Sequence, residues 1–428
     1  MKIFPATRLR GTLQLPGDKS ISHRAAMLAA IAVGETRIEN FSSAEDCRTT
    51  LKCLEQLGVS ISQNGTDVVI KGVGKTGLQK PEQPLDCGNS GTTMRLLAGI
   101  LAGQPFDSVL TGDESLSKRP MGRVIEPLTK MGAKIESENG SLPIRIFGVQ
   151  KIAGIEYEPP IASAQVKSCI LLAGLFADGK TTIIERTTTR DHTERMLQWF
   201  GVDLQLVKES ISLNSEAILT AQDVKIPSDF SSAAYFIVAA ACLEGSDITI
   251  RDLGLNPTRT SCLTILQHLN ANAQILTLEE KCNEPVGMIR VRGRIQRLLR
   301  STPHLLSGSI IPNIIDEIPI LAVLGTQLDV GIEVRDAGEL RHKESDRIAS
   351  IVENLRRMNA DIEEFPDGFR VEKSSLKGSV IDSFGDHRIA MACAVAGLLA
   401  DGETEILNAE CVNISFPDFF ETLQNVVR

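Results

Sequence analysis

Two kinds of apolar segment alternate along the chain. The first is amphipathic and closes on a recurring phrase: Leu, two variable residues, an apolar residue, then Gly or Asn and a short alternating stretch. It reads LEQLGVSI from Leu54, LTKMGAKI from Leu128, LQWFGVDL from Leu197, LQHLNANA from Leu266 and LRRMNADI from Leu355, and another begins at Leu423. Gly or Asn fits the left-handed residue that closes a helix, and alternation after it predicts a strand. The second kind is apolar almost all round and rich in Ala and Gly. Such segments begin near Ser20, Ser90, Ser163, Ser231, Asp316 and Asp386. They predict helices buried on every side, each opening on a residue that caps helix N-termini. Four run on into Gly-containing, β-rich stretches: GETRIENF, GKTTIIER, GSDITIRDL and GETEILNAE.

The two series interleave in one order. This predicts six α/β units of about 70 residues, each with two helices and several strands. No polar capping repeat is visible, so two domains of three units fit better than an open solenoid. The length, 428 residues, agrees with two or three domains at roughly 150 residues each.

Composition adds constraints. Hydrophobic residues at 42% and charged residues at 23% describe a folded chain rather than a disordered one. Aromatics are only 4%, so Ala, Leu, Ile and Val must build the cores. A net charge of −9 argues against a general nucleic-acid or anionic-membrane binder, but small anions need only a local basic pocket. The start lacks the apolar core of a signal peptide. The longest apolar run, Ala233 to Leu243, is far short of the roughly 20 residues of a spanning helix. Nine scattered cysteines without a CxxC pair read as free thiols of a cytoplasmic protein. Six histidines without HExxH or HxxxH spacing give no metal site, and no cofactor is expected. GVGKTG at 72–77 fails as a phosphate loop because Val69 stands where its first glycine is needed; it reads as a turn.

The chemistry gathers where the second series of helices begins. Lys19, Ser20 and Arg24 surround the first start; Asn89, Gly91 and Arg95 the second; Ser163, Gln165 and Lys167 the third. Asp229 and Ser231 open the fourth, Asp316 and Glu317 the fifth, Asp386 and Arg388 the sixth. Helix N-termini attract phosphate and carboxylate. Capping explains a Ser or Asp there, but not Lys19, Arg24 and Arg388, whose charges oppose the helix dipole. A bound anion would reverse that penalty. Two loops add cations: SLSKRPMGR with Lys118, Arg119 and Arg123, and ELRHKESDR with Arg341, Lys343, Glu344, Asp346 and Arg347. Such a mixed cluster is more often a solvated face.

PGDKSISHR, GNSGTTMR, SKRPM, SAQVKS, TRDHTERM, NPTRT, LRHKESDRI, DHRIAM and SFPDFF, in this order, resemble the 3-phosphoshikimate 1-carboxyvinyltransferase (EPSP synthase) family over essentially the whole chain. SAQVKS and TRDHTER are similar to its class II bacterial form. The resemblance implies an α/β fold, a two-domain inside-out α/β barrel of six βαβαββ repeats, three per domain. It places 1–18 with 232–428 in one domain and 19–231 in the other. The implied reaction moves the carboxyvinyl group of phosphoenolpyruvate to the 5-hydroxyl of 3-phosphoshikimate and releases phosphate. By the same resemblance Asp316 is the base and Glu344 the acid, with Lys19 sharing proton transfer. Lys19, Ser20, Arg24, Ser163, Ala164, Gln165, Thr189, Arg190, Asp316 and Lys343 would hold 3-phosphoshikimate. Lys19, Asn89, Gly91, Arg119, Gln165, Arg347 and Arg388 would hold phosphoenolpyruvate. The partners expected are these two small molecules, with no nucleic acid, no membrane and a monomeric chain.

There are departures from the family pattern. Ala164 stands where many members have Ser, Glu339 where some have Asn, and Asn413 and Ile414 occupy a stretch where many have a Lys. Two rivals remain at this point. One is the related transfer to UDP-N-acetylglucosamine, whose enzymes usually carry a reactive Cys in the loop that here reads SLSKRPMGR. The other is a non-catalytic anion-binding homologue.

Overall fold

The computed structural model describes residues 1–293 and 303–428. The chain divides into two compact units. A terminal unit comprises Met1–Pro16, Pro227–Glu279 and Pro285–Arg428; an inserted unit comprises Gly17–Ile226 with Glu280–Glu284.

The inserted unit is built around three buried helices, α1 (Lys19–Ile31), α2 (Gly91–Leu101) and α3 (Ala164–Gly174). Ala and Gly let them approach closely. At Gly99 a side-chain carbon would lie 2.3 Å from the Cys169 carbonyl oxygen, so no larger residue fits between α2 and α3. Three four-stranded sheets surround these helices in one repeated order, a parallel pair followed by an antiparallel hairpin. In one of them Leu85–Asp86 runs parallel to Ser108–Thr111, which pairs antiparallel with Ser141–Phe147 and through it with Lys134–Glu138. Leu142, Ile144 and Ile146 are buried while Pro143 and Arg145 between them are exposed, the alternation of a sheet with one wet face. With helices inside and sheets outside, the layering is inside-out.

The terminal unit repeats the plan around α4 (Phe230–Cys242), α5 (Ile318–Gly325) and α6 (His387–Leu399). The strand Arg10–Gln14 pairs parallel with Asp247–Gly254 in this unit, whereas Val224–Lys225 pairs with Val33–Glu39 in the other. The chain thus passes from the terminal unit to the inserted one near 16–17 and back near 226–227, with the short segment Glu280–Glu284 grouped with the inserted unit as well. The third sheet of the terminal unit is closed by Lys2–Ile3, antiparallel to Thr404–Leu407. Five of the chain's aromatics meet in this unit: Tyr235, Phe236, Phe416, Phe419 and Phe420 pack edge-on or tilted with ring centroids 5.2–6.3 Å apart.

The amphipathic helices end as the sequence predicts. Gly58, Gly132, Gly201, Asn270 and Asn359 all have positive φ, between 58° and 96°. Asp18, Ser90, Ser163, Asp229 and Asp386 cap five of the buried helices by accepting from backbone N–H groups. Ser20 and Ser231 lie inside their helices, with Asp18 and Asp229 as the caps. The fifth start needs a larger correction: α5 begins two residues after Asp316, with Glu317 at the cap position making no side-chain cap bond and Pro319 in the first turn. Asp316 is therefore held for something other than capping. In GVGKTG, Lys75 donates to the carbonyls of Leu175 (3.1 Å) and Ser215 (2.5 Å), a structural tie rather than a phosphate contact. Among the described residues no single helix is long and apolar enough to cross a membrane.

Candidate active site

In the inserted unit the predicted residues cluster at the N-terminal ends of α1, α2 and α3. Lys19 opens α1, and its Nζ lies 2.8 Å from Asp46 Oδ2. That carboxylate answers the charge problem posed by a lysine in a first turn. One turn on, Arg24 is 4% exposed. It donates from Nε to Thr193 Oγ1 (2.7 Å), from Nη2 to Ser168 Oγ (2.9 Å) and from Nη1 to the Ser20 carbonyl (2.8 Å). Burial pulls its pKa down to about 10, and the charge of Glu194 opposes the fall.

At the head of α2, Asn89 joins two loops: its Nδ2 donates to Asp113 (2.7 Å) and its Oδ1 accepts from Arg119 Nη2 (2.9 Å). Gly91 is the first helical residue. A side-chain carbon there would stand 3.0 Å from Arg95 Nη1 and 3.3 Å from Arg119 Nη1, so the missing side chain faces two guanidiniums. The SLSKRPMGR cations separate. Lys118 pairs with Glu114 on the surface, whereas Arg119 is 7% exposed. Behind Ser90 runs a buried chain of polar contacts: His23 Nδ1 to Thr50 Oγ1 (2.6 Å), Thr50 to Thr93 (2.7 Å), and Thr93 Oγ1 donating to Ser90 Oγ (2.7 Å). Burial holds His23 well below the usual imidazole range, aided by the charges of Lys19 and Arg24, so the ring is neutral.

Ser163 caps α3, Ala164 is its first residue, and Gln165 bridges to α2. The Gln165 Oε1 accepts from Arg95 Nη1 (2.5 Å) and its Nε2 donates to Thr92 (3.0 Å). Thr189 is buried and donates from N (3.1 Å) and Oγ1 (2.5 Å) to Glu185 Oε1; Arg190 follows it.

In the terminal unit Asp316, Lys343, Glu344, Arg347 and Arg388 come together. Arg347 opens the helix Arg347–Arg357 and is 2% exposed. Its Nε lies 2.8 Å from Asp386 Oδ2 and its Nη1 3.4 Å from Asp316 Oδ1, and its Nη2 pairs with Glu344 Oε2. Arg388 Nε is also 3.4 Å from Asp316 Oδ1, and Arg259 Nη1 is 3.6 Å from Asp316 Oδ2. Burial works against charge on Arg347 and Arg388. Yet Asp386 and Glu344 around the former, and Asp316 beside the latter, raise both above the usual guanidinium range. Burial draws the Lys343 ammonium below its ordinary value, with Asp316 and Glu339 resisting. The loop ELRHKESDR is thus not simply a solvated face. Arg341 pairs with Asp346 and Glu364 (2.7 and 3.0 Å) at a half-buried edge, while Arg347 turns into the cluster.

The terminal cluster is a set of carboxylates held among guanidiniums at helix starts, suited to gathering anions and moving protons. The family model for EPSP synthase (3-phosphoshikimate 1-carboxyvinyltransferase) matches residues 3–423. The chain belongs to this family. It is 47% identical to the 3-phosphoshikimate 1-carboxyvinyltransferase of Solibacter usitatus, covering 100% of this chain and 99% of that one. It is 50% identical to that of Pelotomaculum thermopropionicum, covering 98% and 97%. EPSP synthase from Acinetobacter baumannii superimposes with a TM-score of 0.87 at 42% identity, over 100% of this chain and 98% of that one. The enolpyruvyl transferase NikO from Streptomyces tendae shares the fold at a TM-score of 0.79 and 16% identity, over 99% and 96%. The two-domain inside-out α/β barrel is the EPSP synthase fold.

Arg259 and Asp46 were not singled out in the sequence, while Arg95 and Lys167 were noted at their helix starts but assigned to no ligand. Arg259, in NPTRT, touches Asp316 and Asp229. Arg95 holds Gln165, Asp46 holds Lys19, and Lys167 lies buried between Glu185 and Glu194. Their signal was present, since Arg95, Arg259 and Lys167 fall inside the very motifs that carry the resemblance.

Proposed function

We propose that the chain transfers the carboxyvinyl group of phosphoenolpyruvate to the 5-hydroxyl of 3-phosphoshikimate, with release of phosphate. The observation that carries this reading is the placement of Asp316 and Glu344 among the guanidiniums of Arg347, Arg388 and Arg259. A reaction between two anions needs such cations, and it needs two carboxyl groups with separate tasks. Asp316 takes the proton of the 5-hydroxyl as its oxygen bonds to C2 of phosphoenolpyruvate, while Glu344 gives a proton to the methylene carbon. The resulting tetrahedral intermediate then loses phosphate and a methyl proton, which restores the vinyl group.

The guanidiniums of Arg347 and Arg388 occupy Asp316 in this structure. Anionic phosphoenolpyruvate competes for them and leaves the carboxylate to meet the hydroxyl. By the family resemblance, Lys19, Asn89, Gly91, Arg119 and Gln165 of the inserted unit are assigned to phosphoenolpyruvate. Ser20, Arg24, Ser163, Ala164, Gln165, Thr189, Arg190 and Lys343 hold 3-phosphoshikimate. Phosphate release from phosphoenolpyruvate tests the reading. It should require 3-phosphoshikimate and fail with UDP-N-acetylglucosamine, consistent with the absence of Cys from SLSKRPMGR. Release with the nucleotide sugar, or with neither acceptor, would overturn it.

A second expected result concerns Gly91. In this family glyphosate competes with phosphoenolpyruvate, and a methyl at Gly91 would enter the space before Arg119 and Arg95. Both neighbours are ends of flexible side chains, so the helix need not move. Leu96, where sensitive members often have Pro, is wholly buried in the core and acts on the site only through the helix. The unaltered protein should be inhibited by glyphosate, and Gly91→Ala should raise both the inhibition constant and KM for phosphoenolpyruvate. Equal inhibition constants would remove Gly91 from the phosphoenolpyruvate site.

A further inference from the structure

We infer that Lys167 is a positioning residue for 3-phosphoshikimate, acting through Glu185 on the turn that carries Thr189 and Arg190. This rests on the reading above that these two residues hold that substrate.

Lys167 lies in the first turns of α3 and is 1% exposed, a placement that disfavours a charged ammonium. Its Nζ sits 2.7 Å from Glu185 Oε1 and 2.6 Å from Glu194 Oε1. Burial alone would lower its pKa, but Glu194 and Glu185 outweigh it and raise the value. The cation is retained, in a position where capping and packing need none.

The geometry shows what it holds. Glu185 Oε1 has three partners: it forms an ion pair with the Lys167 ammonium and accepts from the Thr189 N–H at 3.1 Å and the Thr189 hydroxyl at 2.5 Å. One carboxylate oxygen therefore pins the 185–189 turn to α3 at a single point. The second partner, Glu194, lies beside Thr193, whose hydroxyl accepts from Arg24 Nε. Ser168, the residue after Lys167, accepts from Arg24 Nη2 and contacts Thr193 at 2.6 Å. Lys167 thus joins α3, the turn before Arg190 and the helix His192–Trp199, the three elements around the substrate residues of this unit. Without it, the buried Glu194 carboxylate and the half-buried Glu185 carboxylate lose the cation between them. Glu185 would turn toward water, and the Thr189–Arg190 turn would lose its anchor. The cost should fall on recognition of 3-phosphoshikimate, while the groups assigned to phosphoenolpyruvate and proton transfer are untouched.

Steady-state kinetics of Lys167→Met and Glu185→Leu test this. The second variant leaves one buried cation facing one buried anion, so it stays balanced in charge if the first does not fold. Each should raise KM for 3-phosphoshikimate about tenfold or more, the scale of a buried partner left unpaired. KM for phosphoenolpyruvate and kcat should stay within about threefold. A merely structural lesion would lower kcat or raise both KM values together. Folded Glu185→Leu with an unchanged KM for 3-phosphoshikimate would overturn the proposal, and so would parallel changes in all three constants. Arg190→Ala separates the underlying reading. If it raises that KM while Lys167→Met and Glu185→Leu do not, the positioning role fails and the binding assignment stands. If Arg190→Ala has no effect, the binding assignment fails first.

Discussion

Replacing Asp316 with Asn is expected to lower turnover by about 10²–10⁴-fold, the range for loss of a positioned base, with little change in KM for 3-phosphoshikimate. The amide keeps the shape of the carboxylate and can still accept from the guanidiniums that surround it. What it cannot do is take the proton of the attacking hydroxyl. The lost interaction belongs to the transition state, so kcat and kcat/KM should fall together. Asp316 suits this test because it serves no cap for α5, and its oxygens stand 3.4–3.6 Å from three guanidiniums. Rapid-quench measurement of the first turnover would place the defect in addition rather than in release. A variant turning over at near the unaltered rate would assign the base to another group.

Much of this was legible in the chain because the fold repeats. A phrase that ends a helix on Gly or Asn and restarts as a strand has one physical reading, and five left-handed residues occupy those points. The buried helices were legible for a related reason, since Ala-rich segments without a polar face have no exposed solution. What a repeat cannot announce is which residue supplies the last strand. Lys2–Ile3 closes a sheet against Thr404–Leu407, and nothing local in either segment points to the other. The site was legible where cations stood at helix starts. It was obscure where fate turns on which side of a helix or loop a residue faces. Arg341 and Arg347 are six residues apart in one charged loop. The first grips the edge Glu364–Phe365, while the second opens a helix whose start faces α6. Lys167 stands out in the sequence at the start of its helix, but its partners do not, because only the fold brings Glu185 and Glu194 to it.

Arg347→Met should be the most destabilising single change in the terminal unit. The arginine is 2% exposed and touches Asp386, itself fully buried, together with Asp316 and Glu344. Methionine fills much of its volume, so packing changes little. The electrostatic consequence is large, because three carboxylates lose the cation they share and Asp386 has no route to water. Breaking a buried pair from one side costs about 3–5 kcal/mol, which for a domain of this size corresponds to roughly 6–20 °C in Tm. Asp386 also accepts from the Arg388 N–H at 2.9 Å as the cap of α6. If it takes up a proton to escape its unpaired charge, that cap weakens and Arg388 loses its orientation. Phosphoenolpyruvate should therefore bind far more weakly even in the folded fraction, having lost one arginine outright and the setting of a second. Differential scanning calorimetry with and without both substrates separates the two effects: a lowered transition in the free protein, and loss of the upward shift that ligands give the unaltered chain. Arg347→Lys keeps a charge but cannot span three acceptors, so its transition should fall between the two. An Arg347→Met transition within a degree or two of the unaltered protein would show that Asp386 is neutralised by something other than this arginine.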